Sequence, residues 1–93
     1  MTKNEFTGKL ITEVMNQMPR NKELIVVISE REYYMQFGFE IEYGEKKWSK
    51  GVQVQFFDIE ANNDPEYGIK MYAQMVAQPL LSALKDHDIS LGL

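Results

Sequence analysis

The chain has 93 residues, a formal charge of −4, 44% hydrophobic and 12% aromatic residues, and no cysteine. This composition belongs to a folded chain without disulfides or thiol chemistry, and it fits a reducing, cytoplasmic setting. The acidic balance argues against a general phosphate-backbone binder, which needs a basic face, and no stretch reads as a signal peptide or membrane span.

In chain order, Thr2 to Met18 reads as a helix. Phe6, Leu10, Val14 and Met18 recur every four residues, with Ile11 and Met15 widening the stripe. Thr2 with Glu5 three residues on forms a capping-box pattern. Gly8 weakens the helix by up to about 1 kcal/mol against alanine. Pro19-Arg20-Asn21-Lys22 stops it and turns the chain.

The next segment predicts three strands. Leu24 to Ile28 is apolar and mostly β-branched. Tyr33 to Tyr43 alternates, with Tyr33, Met35, Phe37, Phe39, Ile41 and Tyr43 apolar at odd positions. Such alternation marks a half-buried strand, because successive side chains leave opposite faces. Trp48, Val52, Val54 and Phe56 continue the apolar set at even positions. A Glu45-Lys46 loop sets Tyr43 against Trp48, Phe39 against Val52, Phe37 against Val54 and Met35 against Phe56. A Glu30-Arg31 loop sets Ile28 against Tyr33, Val26 against Met35 and Leu24 against Phe37. Both hairpins then share one apolar face, and Phe37, Phe39, Val54 and Phe56 are the expected core. Neither loop has the Asn-Gly or Asp-Gly of type I′ turns, and a bulge at Gly44 would shift the second register slightly.

Asp64 as N-cap, Pro65 at the first helical position and Glu66 in the first turn predict a helix from Pro65 to about Lys85. Ile69, Tyr72, Ala73, Val76, Leu80, Ala83 and Leu84 form its stripe, and Pro79 predicts a kink. Asp86-His87-Asp88 ends the helix and Ile89 to Leu93 is a short tail. The expected architecture is a single α+β domain over residues 1–93: a two-layer sandwich, helix, three-stranded antiparallel meander, helix (αβββα).

The same order occurs in double-stranded-RNA-binding domains, which place a lysine cluster at the start of the second helix. Asp64, Pro65, Glu66 and Tyr67 stand there in this chain, with only Lys70 nearby. The resemblance is one of topology, and topology does not carry function.

No catalytic, cofactor-binding or metal-binding residue is assigned. His87 lies between two aspartates, but the chain has no second histidine and no cysteine to complete a transition-metal site. The serines have no evident base. Lys46, Lys47, Trp48 and Lys50 form the one basic cluster with an aromatic beside it, suited to phosphates and a stacked base. The plainer reading is a solvated hairpin tip. Glu30, Glu32, Glu40, Glu42 and Glu45, with Asp58, Glu60, Asp64 and Glu66, make an acidic surface. The plainer reading is a surface that keeps the protein dispersed. The other is a mimic of the nucleic-acid backbone, and in size and charge alone the chain resembles small phage-encoded inhibitors and immunity-type proteins.

In the expected registers Ile25, Val27, Tyr34, Phe57 and Ile59 gather at one end of the second sheet face. A self-complementary apolar patch is most simply buried in a twofold homodimer, with Tyr34 and Phe57 as anchors. The tail, through Ile89, Leu91 and Leu93, and a foreign protein are the other covers. The functional expectation is a small acidic, non-catalytic protein-binding protein, of a phage or mobile-element accessory or inhibitor type. It is homodimeric, with a further protein partner and no membrane. A nucleic-acid-binding module using the Lys46–Lys50 tip is the second reading, and a small enzyme with a pocket at a dimer interface the third.

Overall fold

The computed structural model describes residues 1–19, 23–61 and 63–86. The predicted turn at 20–22, His87 and the tail through Ile89, Leu91 and Leu93 lie outside the described residues.

Thr2 starts the first helix, α1 (Lys3–Gln17), as its cap. The Thr2 Oγ1 accepts the Glu5 N–H at 3.1 Å, and the hydroxyl meets the Glu5 carboxylate, also at 3.1 Å. This satisfies one of the donors that a helix start leaves without an intrahelical partner. Phe6, Leu10 and Val14 are buried along one side, as their spacing requires.

Three strands follow, β1 (Glu23–Glu30), β2 (Tyr34–Tyr43) and β3 (Lys46–Gln55), in the antiparallel order β1-β2-β3. The odd residues Met35, Phe37, Phe39 and Ile41 of β2 are all buried. The predicted core face is therefore the observed one.

Both registers differ from the expected ones by an even number of residues. The Arg31 N–H bonds the Tyr34 carbonyl at 2.8 Å, so the first loop is Glu32-Tyr33 instead of Glu30-Arg31. Ile28 faces Phe37, Val26 faces Phe39 and Leu24 faces Ile41, a displacement of four. This sets three aliphatic side chains against the fully buried part of β2 and leaves Tyr33 in the turn, 70% exposed. The second loop is Gly44-Glu45, which displaces β3 by two. Ile41 faces Trp48, Phe37 faces Val52 and Met35 faces Val54. Gly44 takes φ 62° at the first loop position, a left-handed conformation that glycine adopts without steric cost.

β3 stops at Gln55. Phe56 opens a short helix, α2 (Phe56–Glu60), instead of pairing with Met35. Its N–H closes on the Tyr33 carbonyl at 3.0 Å, and its half-buried ring lies 4.4 Å from the Lys3 ammonium. The expected full burial thus holds for Phe37, Phe39 and Val54 and fails for Phe56.

The last helix, α3 (Pro65–Asp86), is capped by Asp64, whose Oδ1 accepts the Tyr67 N–H at 3.2 Å. It continues through Pro79. Ile69, Ala73, Val76, Ala77, Leu80 and Leu84 are buried. α3 lies against β3 and α1, and Phe6 of α1 reaches Phe37 with ring centroids 6.5 Å apart. Both long helices therefore cover the same face of the sheet. Among the described residues no polar or charged side chain is buried.

Candidate protein-binding surfaces

Among the described residues, both long helices lie on one face of the sheet and no element covers the other, the open face. Cross-strand partners share a face, so its rows follow from the registers. Val27, Gly38 and Gly51 make the central row. Ile25, Glu40 and Ser49 lie on one side, and Ser29, Gln36 and Gln53 on the other. Two glycines side by side leave a shallow trough of about 180 Å³ beside Val27, Glu40 and Ser49. A methyl group at Gly51 would approach the Gln36 amide nitrogen to 3.0 Å, whereas one at Gly38 would meet Val27 at ordinary distances. The central row of this face is uncharged, and Glu40 and Lys50 border the trough. Glu40, Glu42 and Lys47 gather at one end, with the Lys47 ammonium 3.7 and 3.4 Å from the two carboxylates.

The predicted apolar patch is divided. Ile25 and Val27 share the open face, and Val27 is 61% exposed. Tyr34 is on that face but opposite Gln55, four residues along β2 from the central row. At about 3.4 Å per residue that separation exceeds 13 Å. Phe57 and Ile59 belong to α2, not to a continued β3. The helical turn sends Ile59 into the core and leaves Phe57 exposed. Ile59 therefore cannot be a surface anchor, which corrects the expectation for that residue.

The basic cluster is divided too. Lys47 lies on the open face between two carboxylates, while Lys46, Trp48 and Lys50 are at even positions on the other face. Trp48 stands opposite Ile41 and packs, half-buried, on the core margin.

Two features escaped the sequence reading. Tyr67, Met71 and Met75 form an exposed stripe along α3, legible as an i, i+4, i+8 spacing outside the core stripe. The aliphatic run of β1, of which the expected patch includes only Ile25 and Val27, stands along an edge of the sheet.

A groove of about 310 Å³ lies between α1 and α3, lined by Gly8, Lys9, Thr12, Glu13, Glu66 and Ile69. The Lys9 ammonium meets the Glu66 carboxylate at 2.7 Å, which raises the lysine pKa. A nucleophilic lysine needs the opposite shift. Among the described residues no group of three histidine, cysteine, aspartate or glutamate side chains is placed to hold a metal ion. Among the described residues no helix is long and apolar enough to cross a membrane.

Comparison with family models, with curated proteins and with solved structures returns no match.

Proposed function

We propose that this chain is a small acidic, non-catalytic binding protein that acts by protein–protein contact, with a second copy of itself among its partners. The observation that supports the reading is the open sheet face. Its uncharged central row combines the exposed Val27 with the glycine trough, and the Glu40 and Glu42 carboxylates stand toward one end. Such a face suits a partner with a small apolar projection for the trough and a cation for the Glu40–Glu42 end. A cytoplasmic setting belongs to the same reading and is supported by the cysteine-free composition.

The test is affinity capture with the full chain and with Gly38→Arg, which fills the trough from a position where a Cβ meets Val27 at ordinary van der Waals distance. Loss of a captured protein with Gly38→Arg, and its retention with Lys46→Glu, supports the reading. Equal capture by both variants counts against the open face. The nucleic-acid reading has less support, because Lys47 is bracketed by carboxylates and Trp48 packs on the core margin. Salt-dependent binding of a labelled oligonucleotide, abolished by Lys46→Glu with Lys50→Glu, would replace the protein-binding reading.

A further inference from the structure

β1 has the sequence of an interior strand and the position of an edge strand. Leu24 to Ile28 are five consecutive aliphatic residues, a pattern typical of strands covered on both faces. None of the five is fully buried. Leu24, Ile25 and Val26 are half-buried, while Val27 and Ile28 are 61% and 39% exposed. Val27 and Ile28 point to opposite faces, so a cover over one sheet face would reach only one of them. A strand laid along the free edge reaches both. Edge strands are normally guarded by lysine, proline or a bulge. β1 contains no lysine and no proline, and its pairing with β2 is unbroken. The other edge strand, β3, carries Lys46, Lys47 and Lys50 and has α3 against it.

Backbone parity restricts what can be added. Arg31 bonds Tyr34, and bonded pairs alternate along an antiparallel ladder. The odd residues of β1 therefore direct N–H and C=O to β2. Leu24, Val26 and Ile28 direct theirs to the outer edge, where no described strand pairs with them. A new antiparallel strand must set its own outward-directed residues against these.

We propose that the occupant is a second copy of this chain, joined β1 to β1 about a twofold axis at Val26 to make one six-stranded sheet. The proposal rests on the self-association part of the functional reading and names its surface. In this register Val26 meets its twin, Leu24 of one copy meets Ile28 of the other, and Ile25 meets Val27. Glu23 meets Ser29. Each aliphatic residue is opposite an aliphatic residue, and no carboxylate is opposite a carboxylate. An axis at Val27 would set Leu24 against Glu30. An axis midway between Val26 and Val27 would set Glu23 against Glu30 and outward-directed residues against inward-directed ones. Any axis through a residue satisfies the hydrogen-bond parity, and of those compared only the axis at Val26 is also the centre of the apolar run, which favours a second copy over a foreign strand. Like faces join in this arrangement, so the helices of both copies lie on one side and the two open faces form one surface.

The test combines light scattering after size exclusion with amide exchange on the full chain, from about 1 to about 100 µM. The expected result is twice the chain mass at the upper end, with slow exchange at Leu24, Val26 and Ile28. Dilution to monomer speeds that exchange by about tenfold or more. Ile28→Pro removes an outward N–H and leaves the β2 ladder intact, and Ile28→Lys adds an edge charge. Both variants should be monomeric, with wild-type circular dichroism and with Ile25 and Val27 amides still protected. A wild-type monomer at the highest concentration overturns the proposal and self-association together, leaving foreign-partner binding to the capture experiment. A dimer whose even-numbered β1 amides exchange freely, or one that survives both variants, overturns the β1 geometry alone.

Discussion

Tyr72 meets Phe6 edge to face, with ring centroids 6.3 Å apart and planes at 73°. Its hydroxyl points to the Asp58 carboxylate at 3.4 Å. One side chain of α3 therefore touches both α1 and α2. Burial raises the phenol pKa first, and the Asp58 charge and hydrogen bond add to it.

A folded-state pKa above the unfolded value of 10.0 sets the sign of the pH dependence. The stabilisation from neutral Tyr72 is complete below about pH 10 and is lost as pH rises through the folded-state value. Lys3 and Lys9 act in the same direction, since hydrogen bonds to Glu30 and Glu66 raise their pKa values. Thermal melts should show Tm falling above about pH 10. Tyr72→Phe keeps the ring contact and removes the ionisation, so its alkaline fall should be shallower. An unchanged slope would assign the fall to the lysines and other groups instead.

Phe37 is the centre of the core, fully buried, with Phe6 and Phe39 each 6.5 Å away between ring centroids. Phe37→Ala removes a large volume from between a helix and the sheet. Urea unfolding should show a loss of about 3–5 kcal/mol, a large part of the roughly 5–15 kcal/mol that holds a typical domain. A loss below about 1 kcal/mol would mean that the helices cover the other face.

Phe57 and Ile59 lie two residues apart and should respond oppositely. Ile59 is fully buried and Phe57 is 75% exposed. Ile59→Ala should cost about 2–5 kcal/mol in chemical unfolding, and Phe57→Asp within about 0.5 kcal/mol of nothing. Were β3 to continue through both, i and i+2 would share a face and the two costs would be alike.

That contrast marks what the sequence could and could not carry. Alternation in β2 assigned the buried face, because the period of two is imposed by the pleat. It left the offset open, because a slip of two or four residues keeps every side chain on its own face. Local turn chemistry decided the offset at Gly44, and the match of Leu24, Val26 and Ile28 with Ile41, Phe39 and Phe37 accompanies it at the first hairpin. The helical starts at Thr2 and Asp64 were legible because each cap uses one side chain on a nearby N–H. The turn from strand to helix at Phe56 was not legible, since a five-residue helix is too short to show a period. Extending β3 through Phe57 and Ile59 assembled the predicted patch, and with the turn only Ile25 and Val27 remain together on the open face.

Gly44 gives a direct test of the second register. Its φ of 62° lies in the left-handed region, and an added Cβ would meet no atom within 4 Å. Substitution is therefore a backbone effect with no packing contribution. Gly44→Ala should cost about 1–2 kcal/mol. Gly44→Asn should cost less, because asparagine tolerates this conformation. With a Glu45-Lys46 loop, Gly44 would instead end an extended strand, where alanine is accepted without strain and restricts the unfolded chain more than glycine does. Gly44→Ala would then be neutral or stabilising. Urea unfolding of the two variants separates these cases: a loss ordered alanine over asparagine supports the Gly44-Glu45 loop, and a gain with alanine returns Trp48 to its place opposite Tyr43.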